Sequence, residues 1–168
     1  MIKLLLAAAG AIVMLMGGSG CTTEGTERGG AAGIVTVQYV RPENFTDLRL
    51  QGRDVRSSTS LFTREVAQAL EPVMRRRFPG DRLTLRFTNI DLAGRGTPGA
   101  RSVRVVRTRT PARLWFDYLL RDMSGRSIRS GSQVLVDTSS GSRLSSSGSL
   151  SPESRMLQRW LQRLPVTR

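Results

Sequence analysis

The sequence has 168 residues, 26 Lys plus Arg against 13 Asp plus Glu, one Cys and no His. Without histidine there is no Ser-His-Asp or Cys-His catalysis and the commonest metal ligand is missing. A single cysteine makes no internal disulfide and no zinc cluster. The formal charge of +13 rests almost wholly on Arg, because Lys3 is the sole Lys. A field of that size favours polyanions, although the Arg are interleaved with strand residues and are equally consistent with a solvated surface.

Met1 to Cys21 has the order of an export signal. Lys3 gives a positive start, Leu4 to Met16 an apolar run, and Gly17-Gly18-Ser19-Gly20 a small-residue region before Cys21. The apolar run falls short of the roughly 20 residues needed to cross a bilayer. The segment resembles the signal of bacterial lipoproteins. Ser19 and Gly20 match the small pair before the lipid-bearing cysteine, whereas Gly18 stands where a Leu is usual. The resemblance implies acylation (diacylglycerol, palmitate) on Cys21 and a membrane as partner. With Thr22 and no Asp after the cysteine, it also implies an outer-membrane lipoprotein on the periplasmic side. Cleavage without lipid, near Gly20 or Ala31-Ala32-Gly33, is the alternative and gives a periplasmic or secreted protein. Residues 22–33 are small, polar and Gly-rich, and read as a flexible tether to a single domain over residues 34–168.

Ile34 to Val40 is β-branched and aromatic and predicts a first strand, ended by Arg41-Pro42-Glu43-Asn44. From Phe45 to Ser58 no period is clear, and the segment reads as a loop from which Leu48, Leu50 and Val55 touch the core. Thr59 or Ser60 is expected to cap a helix with Phe62, Val66, Leu70, Val73 and Met74 on its buried face. Pro72 predicts a kink or a break after Leu70. Arg75-Arg76-Arg77 suits the negative end of the helix dipole.

Arg82 to Thr88 alternates, with Leu83, Leu85 and Phe87 on one face and Arg82, Thr84, Arg86 and Thr88 on the other. The phase changes at Asn89 to Leu92, which suggests a bulge or a strand end. Gly94 to Gly99 lacks the ending of a phosphate-binding loop and reads as a plain loop. Ser102 to Thr108 and Ala112 to Arg121 are the next strands, the second with apolar bulk on both faces. Asp122 to Gly125 reads as a hairpin turn leading into Ser127 to Asp137. Thr138 to Ser149 is a Ser/Gly run, flexible by composition. Ser151, Pro152 and Glu153 mark the start of a final helix. Its apolar stripe is Met156, Leu157, Trp160, Leu161 and Leu164, with Arg155, Arg159 and Arg163 on a solvated face.

These pieces predict a two-layer α+β domain: one mainly antiparallel sheet of about five strands with two helices on one face. Strand order does not follow from the pattern. The chain also resembles a family of exported bacterial proteins defined only as a domain of unknown function. Phe45-Thr46-Asp47, Asp91-Leu92-Ala93-Gly94, Arg104-Val105-Val106-Arg107, the hairpin ending at Asp137 and Arg155-Met156-Leu157-x-x-Trp160 carry the resemblance. The Ser-rich run after Asp137 departs from it. The resemblance implies export and a single domain, and no activity.

Two functions remain. One is a non-enzymatic envelope module that contacts a protein or another envelope component through a sheet edge or an exposed face. The other is a binder of polyanions, such as lipopolysaccharide or acidic lipid, through Arg82, Arg86, Arg104, Arg107 and Arg109. No nucleic acid, metal or cofactor is expected. A carboxylate-dependent hydrolase would need two carboxylates about 5 to 10 Å apart across a cleft. The candidates are Asp47, Asp91 and Asp117, for which turn hydrogen bonds and an Arg partner are the simpler readings.

Overall fold

The computed structural model describes residues 33–50, 53–92, 95–96, 103–106, 111–138, 143–146 and 151–166. Cys21 and the tether up to residue 32 lie outside the described residues, as do Arg107 and Arg109. The strands are β1 (Val35–Tyr39), β2 (Arg82–Asp91), β3 (Arg95–Gly96), β4 (Val103–Val106), β5 (Arg113–Arg121), β6 (Ser127–Val136) and β7 (Arg143–Ser146). Two α-helices, α1 (Val55–Arg77) and α2 (Ser151–Arg163), are present among the described residues. The main sheet has the order β1-β2-β5-β6. β1 runs parallel to β2 and the other pairs are antiparallel. A parallel neighbour requires a crossover, and α1 supplies it.

The α+β class and the placement of both helices hold, but the main sheet has four strands where about five were expected. The strand predicted at Ser102–Thr108 is present as β4 and pairs with β3 and β7 in a separate three-stranded sheet. Alternation makes a segment extended without choosing its partner, and β5 already has β2 and β6 on its two sides. The same small sheet puts strand structure at Arg95–Gly96 and Arg143–Ser146, inside segments that composition read as loops.

One face of the main sheet is the core. Val35, Val37 and Tyr39, then Leu83, Leu85, Phe87 and Ile90, then Leu114, Phe116, Tyr118 and Leu120 are buried. Against them lie Phe62, Val66, Leu70 and Met74 of α1, and Leu157, Trp160 and Leu161 of α2. A ladder of rings joins the layers: Phe62 meets Phe87 edge-on at 5.2 Å, Phe87 meets Phe116 at 5.4 Å, and Phe116 meets Trp160 at 5.0 Å. The expected bulge appears as a register shift between Phe87 and Asn89. It returns Ile90 to the core face.

Helix α1 corrects two expectations. It starts earlier, capped by Asp54, whose carboxylate accepts from the Ser57 amide at 2.6 Å. The Thr59 and Ser60 hydroxyls donate instead to the Arg56 carbonyl. The helix also continues through Pro72. An interior proline costs about 3 kcal/mol, but Val73, Met74 and Phe78 beyond it are buried, each worth roughly 1.5–3 kcal/mol. Burial on both sides of the proline outweighs the lost bond. The helices are tied by Gln158 Nε2 donating to the Ala69 carbonyl and Arg77 donating to the Leu164 carbonyl. Among the described residues no helix is long and apolar enough to cross a membrane.

Candidate functional site

Both helices pack on one side of the main sheet, and the other side faces away from them. Strand alternation decides what it carries. β2 places Arg82, Thr84 and Arg86 there, and β5 places Arg113, Trp115, Asp117, Leu119 and Arg121. The register aligns these into rows across the sheet. Gln38, Arg86, Asp117 and Ser132 form one row, and Asn89, Trp115 and Val134 form another. Val134 and Val136 are 57% and 44% exposed, so the C-terminal end of β6 on this face is apolar and wet, whereas Ser130 and Ser132 make the rest polar.

The charges on this face are not equivalent. Arg86 lies 3.9 Å from Asp117, which also accepts from the Ser132 hydroxyl at 2.6 Å. Both partners are about half exposed, so screening keeps the pair weak. Arg82 and Arg121 are direct register partners, and like charges directly opposed across a ladder are unfavourable. Among the described residues neither has a carboxylate partner. Of the Arg singled out from the sequence, Arg82 and Arg86 share this face. Arg104 belongs to β4 in the small sheet, and its side chain lies outside the description with Arg107 and Arg109. Arg113 and Arg121 were missed, although the parity that puts Trp115, Asp117 and Leu119 on one face extends to both.

The carboxylate candidates separate. After β1 the chain makes a left-handed turn at Arg41 (φ 51°) and a 3-10 turn at Pro42–Asn44, and then returns to β2. Asp47 forms an isolated parallel bridge with Asp91, its amide donating to the Ile90 carbonyl at 2.9 Å. Thr46 and Asn89 lock the return reciprocally: the Thr46 amide donates to Asn89 Oδ1 and Asn89 Nδ2 to the Thr46 hydroxyl, both at 2.9 Å. Phe45-Thr46-Asp47 and the start of Asp91-Leu92-Ala93-Gly94 therefore meet at one end of β2. Asp117 is remote, because Arg113, the register partner of Asp91, lies four residues from it along β5. At ~3.4 Å per residue that separation is about 14 Å, outside the range of an acid pair.

A groove of about 670 Å³ lies at the opposite end of β2, lined by Ile34, Glu71, Arg75, Phe78, Asp81 and Arg82 among others. Burial, and then the nearby Asp122 carboxylate, push the Asp81 carboxyl above its ordinary value. Asp122 is held low, chiefly by the Ser124 hydroxyl. Glu71 faces Arg75 at 3.9 Å. At the other end, Asp137 is nearly buried and Arg159 approaches it at 3.7 Å. Arg159 stays half exposed, as expected of its row, and the contact ties the end of β6 to α2. Among the described residues no group of three or more acidic or thiol side chains could hold a metal ion.

The profile of the family described as "Protein of unknown function (DUF3016)" matches residues 33–163. The chain belongs to this family. The match covers the main sheet and both helices. No curated protein matches the chain. Among solved structures, the PelC dodecamer from Paraburkholderia phytofirmans aligns with 16% identity and a TM-score of 0.26. The alignment covers 80% of this chain and 93% of that one. A likeness at that level carries no argument about the fold or assembly of this DUF3016 chain.

Proposed function

We propose that this DUF3016 protein is an exported, lipid-anchored and non-enzymatic module of the cell envelope that binds through the helix-free face of its sheet. The observation that carries the reading is the composition of that face. Half-buried Trp115 and Leu119 and exposed Val134 and Val136 stand among Arg82, Arg86, Arg113 and Arg121, and exposed apolar side chains within a polar rim mark interaction surfaces. The order of Met1 to Cys21 supports export and a lipid on Cys21, and the absence of Asp after it supports the periplasmic side of the outer membrane. Membrane fractionation with intact mass is the test. Wild type is expected in the membrane fraction with a lipid-sized mass increment, and Cys21→Ala is expected to lose both. A wild type that is soluble and carries no added mass sinks the anchor.

A second reading is favoured by one feature, the opposition of Arg82 and Arg121, which have no carboxylate partner among the described residues. An anionic headgroup or a lipopolysaccharide phosphate between them would relieve their repulsion. Binding of Cys21→Ala protein to lipopolysaccharide should then fall with salt, as cation–phosphate binding does. Joint replacement of Arg82 and Arg121 by Gln should flatten that dependence. Equal binding by the double variant removes this reading.

A further inference from the structure

The two edges of the main sheet differ. The β1 edge is short (Val35–Tyr39) and is broken by left-handed Arg41, by Pro42 and by the return of Asp47 to β2. The β6 edge runs for ten residues, Ser127–Val136, with no proline and Arg129 as its sole charge. Among the described residues no strand pairs with its outer side. Natural edge strands are usually blunted by charge, proline, bulges or brevity; β6 has Arg129 and a register shift at its start, but Ser130 to Val136 carries none of these. The Asp137 amide donates inward to the Ala112 carbonyl, so by alternation the main-chain groups of Ser130, Ser132, Val134 and Val136 point outward.

We infer that β6 pairs antiparallel with β6 of a second copy of this chain, joining two four-stranded sheets into one. Self-pairing centred on Ser132 sets each Ser130 opposite the partner's Val134 and each Arg129 opposite the partner's Leu135. No like charges meet. The exposed Val134, beside Trp115 in its own sheet, gains a neighbour. The pairing is isologous and, among the described residues, the main sheet of each copy has one unblunted edge, so the assembly closes at two and does not grow into a fibre. The inference deepens the binding-module reading by naming one occupant of the sheet edge. That reading stands or falls on fractionation, and this one on oligomeric state.

The test uses the full chain carrying Cys21→Ala, so that neither lipid nor a native thiol interferes. Analytical ultracentrifugation is expected to show a dimer. Ser130→Pro, which deletes an outward amide and leaves the β5 ladder intact, is expected to sediment as a monomer with unchanged circular dichroism. Ser132→Cys is expected to form a disulfide-linked dimer on mild oxidation, because an antiparallel self-pair brings Cα atoms to about 5.5 Å. Thr88→Cys, exposed on β2, serves as the uncrosslinked control. A monomer at every concentration, an assembly larger than two, or a dimer that persists in Ser130→Pro each overturns the inference.

Discussion

Removing the Phe87 side chain should cost more stability than any change on the helix-free face. Phe87 is 0% exposed and touches three rings: Phe62 at 5.2 Å, Phe116 at 5.4 Å and Tyr39 at 6.1 Å. A buried Phe→Ala substitution costs about 3–5 kcal/mol, and each well-oriented ring pair adds about 0.5–1.5 kcal/mol. Phe87→Ala should therefore lie at the upper end, about 5 kcal/mol. Phe87→Leu keeps most of the apolar volume and loses mainly the ring contacts, so about 1–2 kcal/mol is expected. The site sits where the β2–β5 register shifts, which limits collapse of the surroundings into the cavity. Urea unfolding followed by circular dichroism is the assay, with a lower midpoint and an unchanged m-value in both variants. A Phe87→Ala loss below about 1 kcal/mol would refute the aromatic ladder as the link between layers.

Asp54→Ala should destabilise the fold at neutral pH and much less in acid. The Ser57 amide holds the Asp54 carboxyl below its ordinary value, so its contribution is present above the unfolded pKa and lost as pH falls. Thermal melts at the two pH values check this. Asp81 has the opposite sign. Burial and Asp122 raise its pKa, so its contribution is present in acid and lost as pH rises, and Asp81→Asn should raise the neutral-pH melting temperature. Gly80 adopts φ +86° and lies under Met123. Gly80→Ala should cost about 1–2 kcal/mol for the left-handed backbone, and that loss should persist in a Met123→Ala background, where the flexible thioether no longer crowds the new methyl.

Much of the fold was legible because local periodicity reports burial directly. Leu83, Leu85 and Phe87 alternate and are buried, and the stripe from Met156 to Leu164 is the buried face of α2. The hairpin at Asp122–Gly125 followed from its turn residues, and Gly125 takes φ +83° there. Local signals failed where a distant contact outbid them. Pro72 lost to the burial of Val73 and Met74. Thr59 and Ser60 looked like caps, but Asp54 captures the first turn because Leu48 and Leu50 are drawn into the core just before it. There the Leu50 amide donates to the buried Ser58 hydroxyl at 3.1 Å.

The candidate site divides along the same line. From the sequence come the signal-like order ending at Cys21, the lack of His, and the Arg on alternate positions of β2, because each is a property of residue type and spacing. The meeting of Asp47 with Asp91, the opposition of Arg82 to Arg121 and the unblunted edge of β6 were settled only by tertiary structure. Each depends on which strand lies beside which and in what register. Strand register is chosen by the burial of whole faces against α1 and α2, a sum over many residues that no short stretch of the chain contains.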